Sequence, residues 1–169
     1  MKKMLPFLFL LLSMKPAADE GNEFSIKAMF IYNFARNIDW SSSANSGVFR
    51  IGVMGKSEIF DALQLISQQK KIDNRQIEVR RIDADDQMAY QVIFVPKAQS
   101  QRLDELAKRY AGKGVLIVSE DCKRSERGAT INLITSDNKV RFELNQSSAR
   151  NAGIKVSNTL INLAVVVNP

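Results

Sequence analysis

The chain contains no histidine, and Cys122 is the only cysteine among its 169 residues. The lack of histidine removes the commonest general base, the commonest metal ligand and the usual partner of a serine or cysteine nucleophile. A single cysteine excludes an intrachain disulfide and a cysteine-ligated metal cluster. We therefore expect a protein that is not an enzyme, carries no cofactor or metal, and depends on an apolar core for its stability. Catalysis by Asp, Lys or Ser alone would require a deep pocket around a strongly perturbed group.

The sequence also lacks an apolar run of the roughly 20 residues that a membrane-spanning helix needs. Its N-terminus has two lysines followed by a short apolar run at 5–12 and then polar residues. This pattern is typical of a secretory signal peptide. We expect residues 1–18 to be removed by cleavage near Ala18, which leaves a single exported domain at 19–169. An uncleaved N-terminal tether is the alternative.

The formal charge of +6 overstates how basic the exported domain would be. Residues 1–18 contain three lysines and no acidic residue, so cleavage leaves 21 basic and 18 acidic side chains. Acidic and basic residues alternate along the chain, and no basic cluster with interleaved aromatic residues is visible. The sequence therefore argues against nucleic-acid binding.

Strands and helices alternate along the sequence, which predicts an α/β fold. The continuous apolar runs at 92–95 and 115–118 are typical of central strands that are covered on both faces. Ser136, Asp137 and Asn138 predict a hairpin turn between two late strands. We expect a mostly parallel central sheet flanked by helices on both faces, with an antiparallel C-terminal hairpin at one edge. The predicted strands are 48–54, 77–82, 92–95, 115–118, 129–135 and 139–145. The predicted helices are 24–38, 57–69, 99–111, 147–152 and 157–165.

A phosphate-binding loop is the most tempting motif, because Gly55-Lys56-Ser57 lies between a predicted strand and a predicted helix. The nucleotide motif requires a glycine where this chain has Arg50. The sequence therefore predicts a simpler role, in which Gly55 forms a tight turn and Ser57 caps the helix.

Five segments in order resemble the YfiR-like family of periplasmic bacterial proteins, over roughly residues 25–166. They are 27–40, 49–55, 127–133, 140–145 and the closing stretch 152–163. The resemblance implies an α/β fold, a periplasmic location, homodimerisation and no catalysis. It also implies binding to the outer domain of an inner-membrane signalling protein, a diguanylate cyclase or a sensor kinase, with an outer-membrane lipoprotein as a further partner. Redox control through disulfides, known in the family, does not carry over to a chain with one cysteine.

The first predicted helix, 24–38, has an apolar stripe too wide for one sheet face, so Phe30 and Phe34 are either core residues or part of a dimer interface. Asn33 and Arg36 interrupt this stripe. They are either satisfied polar groups at its rim or contacts to a ligand or partner.

Arg141, Glu143 and Asn145 alternate with apolar residues, so their side chains share one face of a strand. The simpler interpretation is a solvated face on which Asn145 caps the next helix. The functional interpretation is a polar patch beside an exposed edge strand, where a partner adds a strand of its own.

The family resemblance therefore implies a periplasmic regulator that represses a diguanylate cyclase and so acts in cyclic-di-GMP signalling and biofilm formation. The alternative is a periplasmic carrier or sensor of a small molecule. Such a protein would use the crevice at the carboxyl ends of the parallel strands.

Overall fold

The computed structural model describes residues 20–40, 47–122 and 128–169, and of residues 20–22 only the backbone. The predicted signal peptide and most of the predicted loop at 41–47 lie outside this part of the chain. The helices are α1 (Glu20–Arg36), α2 (Ile59–Gln69), α3 (Leu103–Arg109), α4 (Gln146–Ala152) and α5 (Asn158–Leu163). The strands are β1 (Ile38–Asp39), β2 (Phe49–Met54), β3 (Lys71–Ile72), β4 (Arg75–Ile82), β5 (Val92–Val95), β6 (Leu116–Glu120), β7 (Ile131–Ser136), β8 (Lys139–Asn145), β9 (Lys155–Val156) and β10 (Val166–Asn168).

The predicted fold class is confirmed. Eight strands form one sheet in the order β10-β8-β7-β6-β5-β2-β4-β3. The strands from β7 through β6, β5 and β2 to β4 are parallel, whereas β7 pairs with β8 in antiparallel register. A separate two-stranded ladder joins β1 to β9.

The apolar core lies on both faces of this sheet. The larger cluster packs α1, α2, α4 and α5 against one face, around Phe34, Phe49 and Phe142. The smaller cluster packs α3 against the other face, where Leu103 and Leu106 contact the outward side of β5 and β6. Because β5 and the first three residues of β6 are buried on both sides, these sequences are continuously apolar rather than alternating.

Two hairpin turns share one dipeptide and one geometry. Asp137 and Asn138 both adopt positive φ, 52° and 58°, which is the type I′ geometry that fits the twist of a hairpin. Asp73 and Asn74 repeat this at 48° and 63° between β3 and β4. The first turn was predicted from the sequence, whereas the second was missed although it carries the same signal.

The C-terminus differs from the prediction. The predicted closing helix to residue 165 ends at Leu163, Ala164 is extended, and β10 then pairs in parallel with β8. Consecutive valines at 165–167 favour an extended chain, because β-branched side chains pack well on a pleated sheet. Strand β8 is therefore not the edge strand that the strand-addition hypothesis required, and β10 takes that place.

Other local predictions differ by smaller amounts. The predicted helix at 99–111 is a 3-10 turn, Lys97–Arg102, followed by the shorter α3. Gly55 does form the expected turn, with φ of 61°. Ser57 does not cap α2, because Glu58 occupies the N-cap position and makes no side-chain capping bond. Asn145 does cap α4, since its Oδ1 accepts the Ser148 backbone N–H at 2.9 Å.

The order in which successive strands join the sheet reverses beside β2. From β2 the chain passes through α2 to β4 on one side, and it then crosses to β5 on the other side of β2. In open α/β sheets, the loops after two such strands separate and leave a crevice at their carboxyl ends.

Candidate functional site

A crevice of about 760 Å³ lies at this reversal point. The loop after β2 contributes Lys56 and Ser57, and the loop after β5 contributes Pro96 and Lys97. Phe24, in the second turn of α1, forms an apolar wall. The volume falls within the range of roughly 300–1,000 Å³ that is usual for small-molecule sites.

A buried ion network supports one side of the crevice. Lys27 is a lysine on the inner face of α1 with only 3% of its side chain exposed. Its ammonium lies 2.6 Å from Oε1 of Glu120, at the end of β6, and 2.6 Å from Oε1 of Glu23. Glu120 also lines the crevice, and its other carboxylate oxygen is 3.5 Å from the Lys97 backbone N–H. The network therefore joins the start of α1 to the carboxyl ends of the central strands.

The pKa shifts agree with this geometry. Burial by itself would lower the pKa of Lys27, but the hydrogen bonds to Glu120 and Glu23 outweigh it and raise that pKa above 10.5. The pKa of Glu23 is lowered below 4.5, first by its hydrogen bond with Lys27 and then by the Thr135 hydroxyl, which donates to it at 2.8 Å. Both groups are therefore charged at neutral pH.

The mouth of the crevice is lined by charges that this network does not neutralise. The Lys56 and Lys97 side chains are exposed, and within the described residues neither ammonium has an ion-pair or hydrogen-bond partner. Arg81 has an exposed contact to Asp61 at 3.8 Å, and its guanidinium lies 4.1 Å from the centre of the Phe60 ring.

The predicted interface residues on α1 lie in two different environments. Phe34 is 1% exposed and packs against Phe142 with 4.9 Å between the ring centres, so it has almost no surface for a second subunit. Phe30 is half-buried and also contacts Phe142. Ile26 and Met29, which the sequence argument did not single out, are 40% and 39% exposed.

Asn33 and Arg36 extend this exposed stripe toward the end of α1. Both side chains are exposed, and the Arg36 guanidinium lies 5.7 Å from the Tyr32 ring centre. Positions 26, 29, 30, 33 and 36 are spaced by three or four residues, so their side chains share one face of the helix. We call Ile26, Met29, Phe30, Asn33 and Arg36 the α1 ridge.

Arg141 and Glu143 lie away from the α1 ridge. Their neighbour Phe142 faces α1, and successive strand residues point to opposite faces, so Arg141 and Glu143 point to the α3 side of the sheet. The four polar residues proposed from the sequence therefore do not form a single site.

Glu143 belongs instead to a hydrogen-bonded network around Asn132, which is only 2% exposed. The Asn132 amide donates to Glu143 at 2.9 Å and to the Cys122 carbonyl at 3.0 Å. Its oxygen accepts from Ser119 and from the Cys122 backbone N–H. The Cys122 side chain is half-buried against the smaller core cluster.

Sequence reasoning missed Lys27 and Glu120, although a signal for each was present. Lys27 lies three residues after Phe24 and four before Ile31, on the buried face of a helix where a charge requires a partner. Glu120 follows a continuously apolar strand and therefore lies at the carboxyl end of the sheet. The pairing of these two residues could not be read from the sequence.

Within the described part of the chain, two features of other protein classes are absent. Among those residues, no group of three or more Cys, Asp or Glu side chains is placed to hold a metal ion. Over the same part of the chain, no helix combines the length and apolar character needed to cross a bilayer.

Comparison with known proteins adds an independent finding. The search of curated proteins returned no match. The model of the YfiR/HmsC-like family matches residues 24–165, which is most of the chain and contains the crevice, the α1 ridge and the hairpin. The chain therefore belongs to the YfiR/HmsC-like family.

Proposed function

We propose that this protein is a periplasmic, non-enzymatic regulator that binds the outer domain of an inner-membrane signalling protein and represses it. A diguanylate cyclase is the partner we favour, which would place the protein in cyclic-di-GMP signalling and biofilm control. Family membership supports the regulatory role. Repression requires only that the regulator binds one state of its partner more tightly than the other.

The α1 ridge is the observation that carries the binding proposal. Large apolar side chains such as Ile26 and Met29 are exposed beside the half-buried Phe30, and polar Asn33 and Arg36 adjoin them. Exposed apolar clusters with a polar rim are typical of protein–protein contacts. The ridge lies on a helix that packs firmly against the core, so it is presented without rearrangement.

A complementation experiment tests the proposal. Deleting the gene should raise cyclic-di-GMP and biofilm, and the wild-type gene should restore both. The double variant Ile26→Glu/Met29→Glu should accumulate normally but fail to restore them, because two charges would be placed in the contact. Leu65→Glu is the matched control, since Leu65 is 59% exposed on α2 and outside the ridge.

Two results would contradict the proposal. Unchanged cyclic-di-GMP in the deletion strain would exclude repression of a cyclase and would leave a sensor kinase as the partner to test. Full complementation by the double variant would show that the α1 ridge is not the contact surface.

A further inference from the structure

We propose that the crevice between the loops after β2 and β5 binds a small organic anion, a carboxylate or a phosphate ester attached to an apolar body. This inference goes beyond regulation through the α1 ridge. The first argument is the position of the crevice, which lies beside β2 where the order of the described strands reverses. Ligands of open α/β sheets bind at such points.

The charges at the crevice select an anion. Lys56 comes from one loop and Lys97 from the other, and neither ammonium is paired within the described residues. Glu120 is held at its Oε1 by the buried Lys27 at 2.6 Å, and Lys27 is shared with Glu23. Arg81 contacts Asp61, so the ionised lining side chains without a partner within the described residues are two lysines, Lys56 and Lys97, and one carboxylate, Glu58.

The walls of the crevice select an apolar body beside the anionic group. Phe24 lies on the α1 side, and Pro96 and Ala98 lie on the β5 side. A flat or aliphatic group between them would bury apolar surface, at roughly 25 cal/mol for each Å². A nucleoside triphosphate is a poor candidate, because Arg50 replaces the first glycine of the phosphate-binding motif and its guanidinium pairs with Glu78 at 2.9 Å.

Titration of the purified protein with three probes tests the proposal. Phenylacetate and phenyl phosphate carry the two anionic groups, and 2-phenylethanol is the neutral analogue. Both anions should bind, and more weakly at about 150 mM than at about 10 mM salt, because exposed charges are screened. Whichever anion binds more tightly identifies the group that the site prefers. Backbone amide signals of residues 55–58 and 97–98 should shift in nitrogen–proton NMR spectra.

Conservative variants locate the site. Lys56→Gln and Lys97→Gln should each weaken anion binding about tenfold, the effect of losing one hydrogen bond to a charged group. Both side chains are exposed, so the variants should fold normally. Lys139→Gln is the control, because Lys139 is an exposed lysine in the β7–β8 hairpin and does not line the crevice.

Three outcomes would overturn the proposal. The first is no binding of either anion at millimolar concentration. The second is binding of 2-phenylethanol as tight as that of the two anions, which would show that the negative charge does not contribute to binding. The third is an equal loss in Lys139→Gln, which would show that anions bind through net charge rather than through this crevice.

Discussion

Lys27 is buried where a lysine is normally exposed, and its surroundings explain how the fold tolerates it. Removing a charge from water costs several kcal/mol, and only close partners of opposite charge offset this. Glu120 and Glu23 supply these partners, each at 2.6 Å. Of the two carboxylates, Glu120 is the more buried, with 12% of its side chain exposed against 38% for Glu23. The Lys27–Glu120 pair is therefore the energetically critical half of the network.

Replacing Lys27 with methionine should lower the free energy of unfolding by about 3 kcal/mol, because Glu120 would remain buried without its partner. Urea unfolding monitored by circular dichroism measures this. The exposed Lys56→Met serves as the control and should change the free energy by less than about 0.5 kcal/mol. Equal stability of Lys27→Met and the wild type would mean that the Lys27–Glu120 pair makes no net contribution to the free energy of unfolding.

Stability should fall in acid because the pKa of Glu23 is lower in the folded protein than its ordinary value of 4.5. Its contribution is present above pH 4.5 and is lost as the pH falls through the folded pKa. The pKa of Glu78 is lowered mainly by its hydrogen bond with Arg50, so Glu78 also loses its contribution to stability as the pH falls below 4.5. The pKa of Lys27 is raised, so its contribution persists until the pH exceeds 10.5.

Thermal unfolding measured from about pH 7 to about pH 3 tests this dependence. Glu23→Gln should flatten the acid limb, and Glu105→Gln should not, because Glu105 is exposed on α3. Identical acid limbs for Glu23→Gln and the wild type would contradict the assignment.

At the scale of elements, α1 has two faces with different roles. Its inner face contributes Phe34, which contacts both Phe30 and Phe142 through tilted or edge-on ring pairs. Its outer face carries the α1 ridge. The wide apolar stripe of the sequence therefore combines a core face with a partly exposed one.

Phe34→Ala should lower the free energy of unfolding by about 3–5 kcal/mol, because it leaves a cavity in the core. Ile26→Ala, on the outer face of the same helix, should change it by less than about 0.5 kcal/mol. Chemical denaturation of both variants measures the difference. Similar losses at the two positions would mean that the inner and outer faces have been misassigned.

At the scale of the whole molecule, the two edges of the sheet are protected differently. The open part of β4 carries Arg80 and Arg81, which discourage pairing with another strand. The opposite edge, β10, exposes Val166 and Val167 by 43% and 38%. Among the described residues, the α1 ridge and the β10 edge are therefore both exposed apolar surfaces.

The protein is predicted to form a homodimer, and a twofold arrangement is the commonest way to bury such a surface. Light scattering at tens of micromolar protein tests this, and a monomer would contradict it. Because the α1 ridge is proposed to contact the signalling partner, Val166→Lys at the β10 edge should give a folded monomer, whereas Ile26→Glu/Met29→Glu and Leu65→Glu should remain dimeric. Loss of the dimer in Ile26→Glu/Met29→Glu alone would show that the dimer interface is the α1 ridge and not the β10 edge.

The sequence by itself determined the α/β class, the buried central strands and the hairpin at Asp137-Asn138. These follow from local periodicity and turn chemistry, which act over a few residues. It also identified Asn145 as a helix cap, because a cap bonds within its own turn. Strand β10 was missed because the apolar residues at 157–165 predicted a helix, and only pairing with β8 decided that the following residues are extended.

The tertiary structure alone decided which residues meet. Lys27 and Glu120 are 93 positions apart, and no local pattern specifies that their charges lie in contact. The same holds for the crevice, which depends on β5 returning to the far side of β2. It also holds for Asn33 and Arg141, which the order and pleat of the strands place on opposite sides of the sheet. Contacts between distant segments depend on topology, and topology is set by the packing of the whole chain rather than by any one segment.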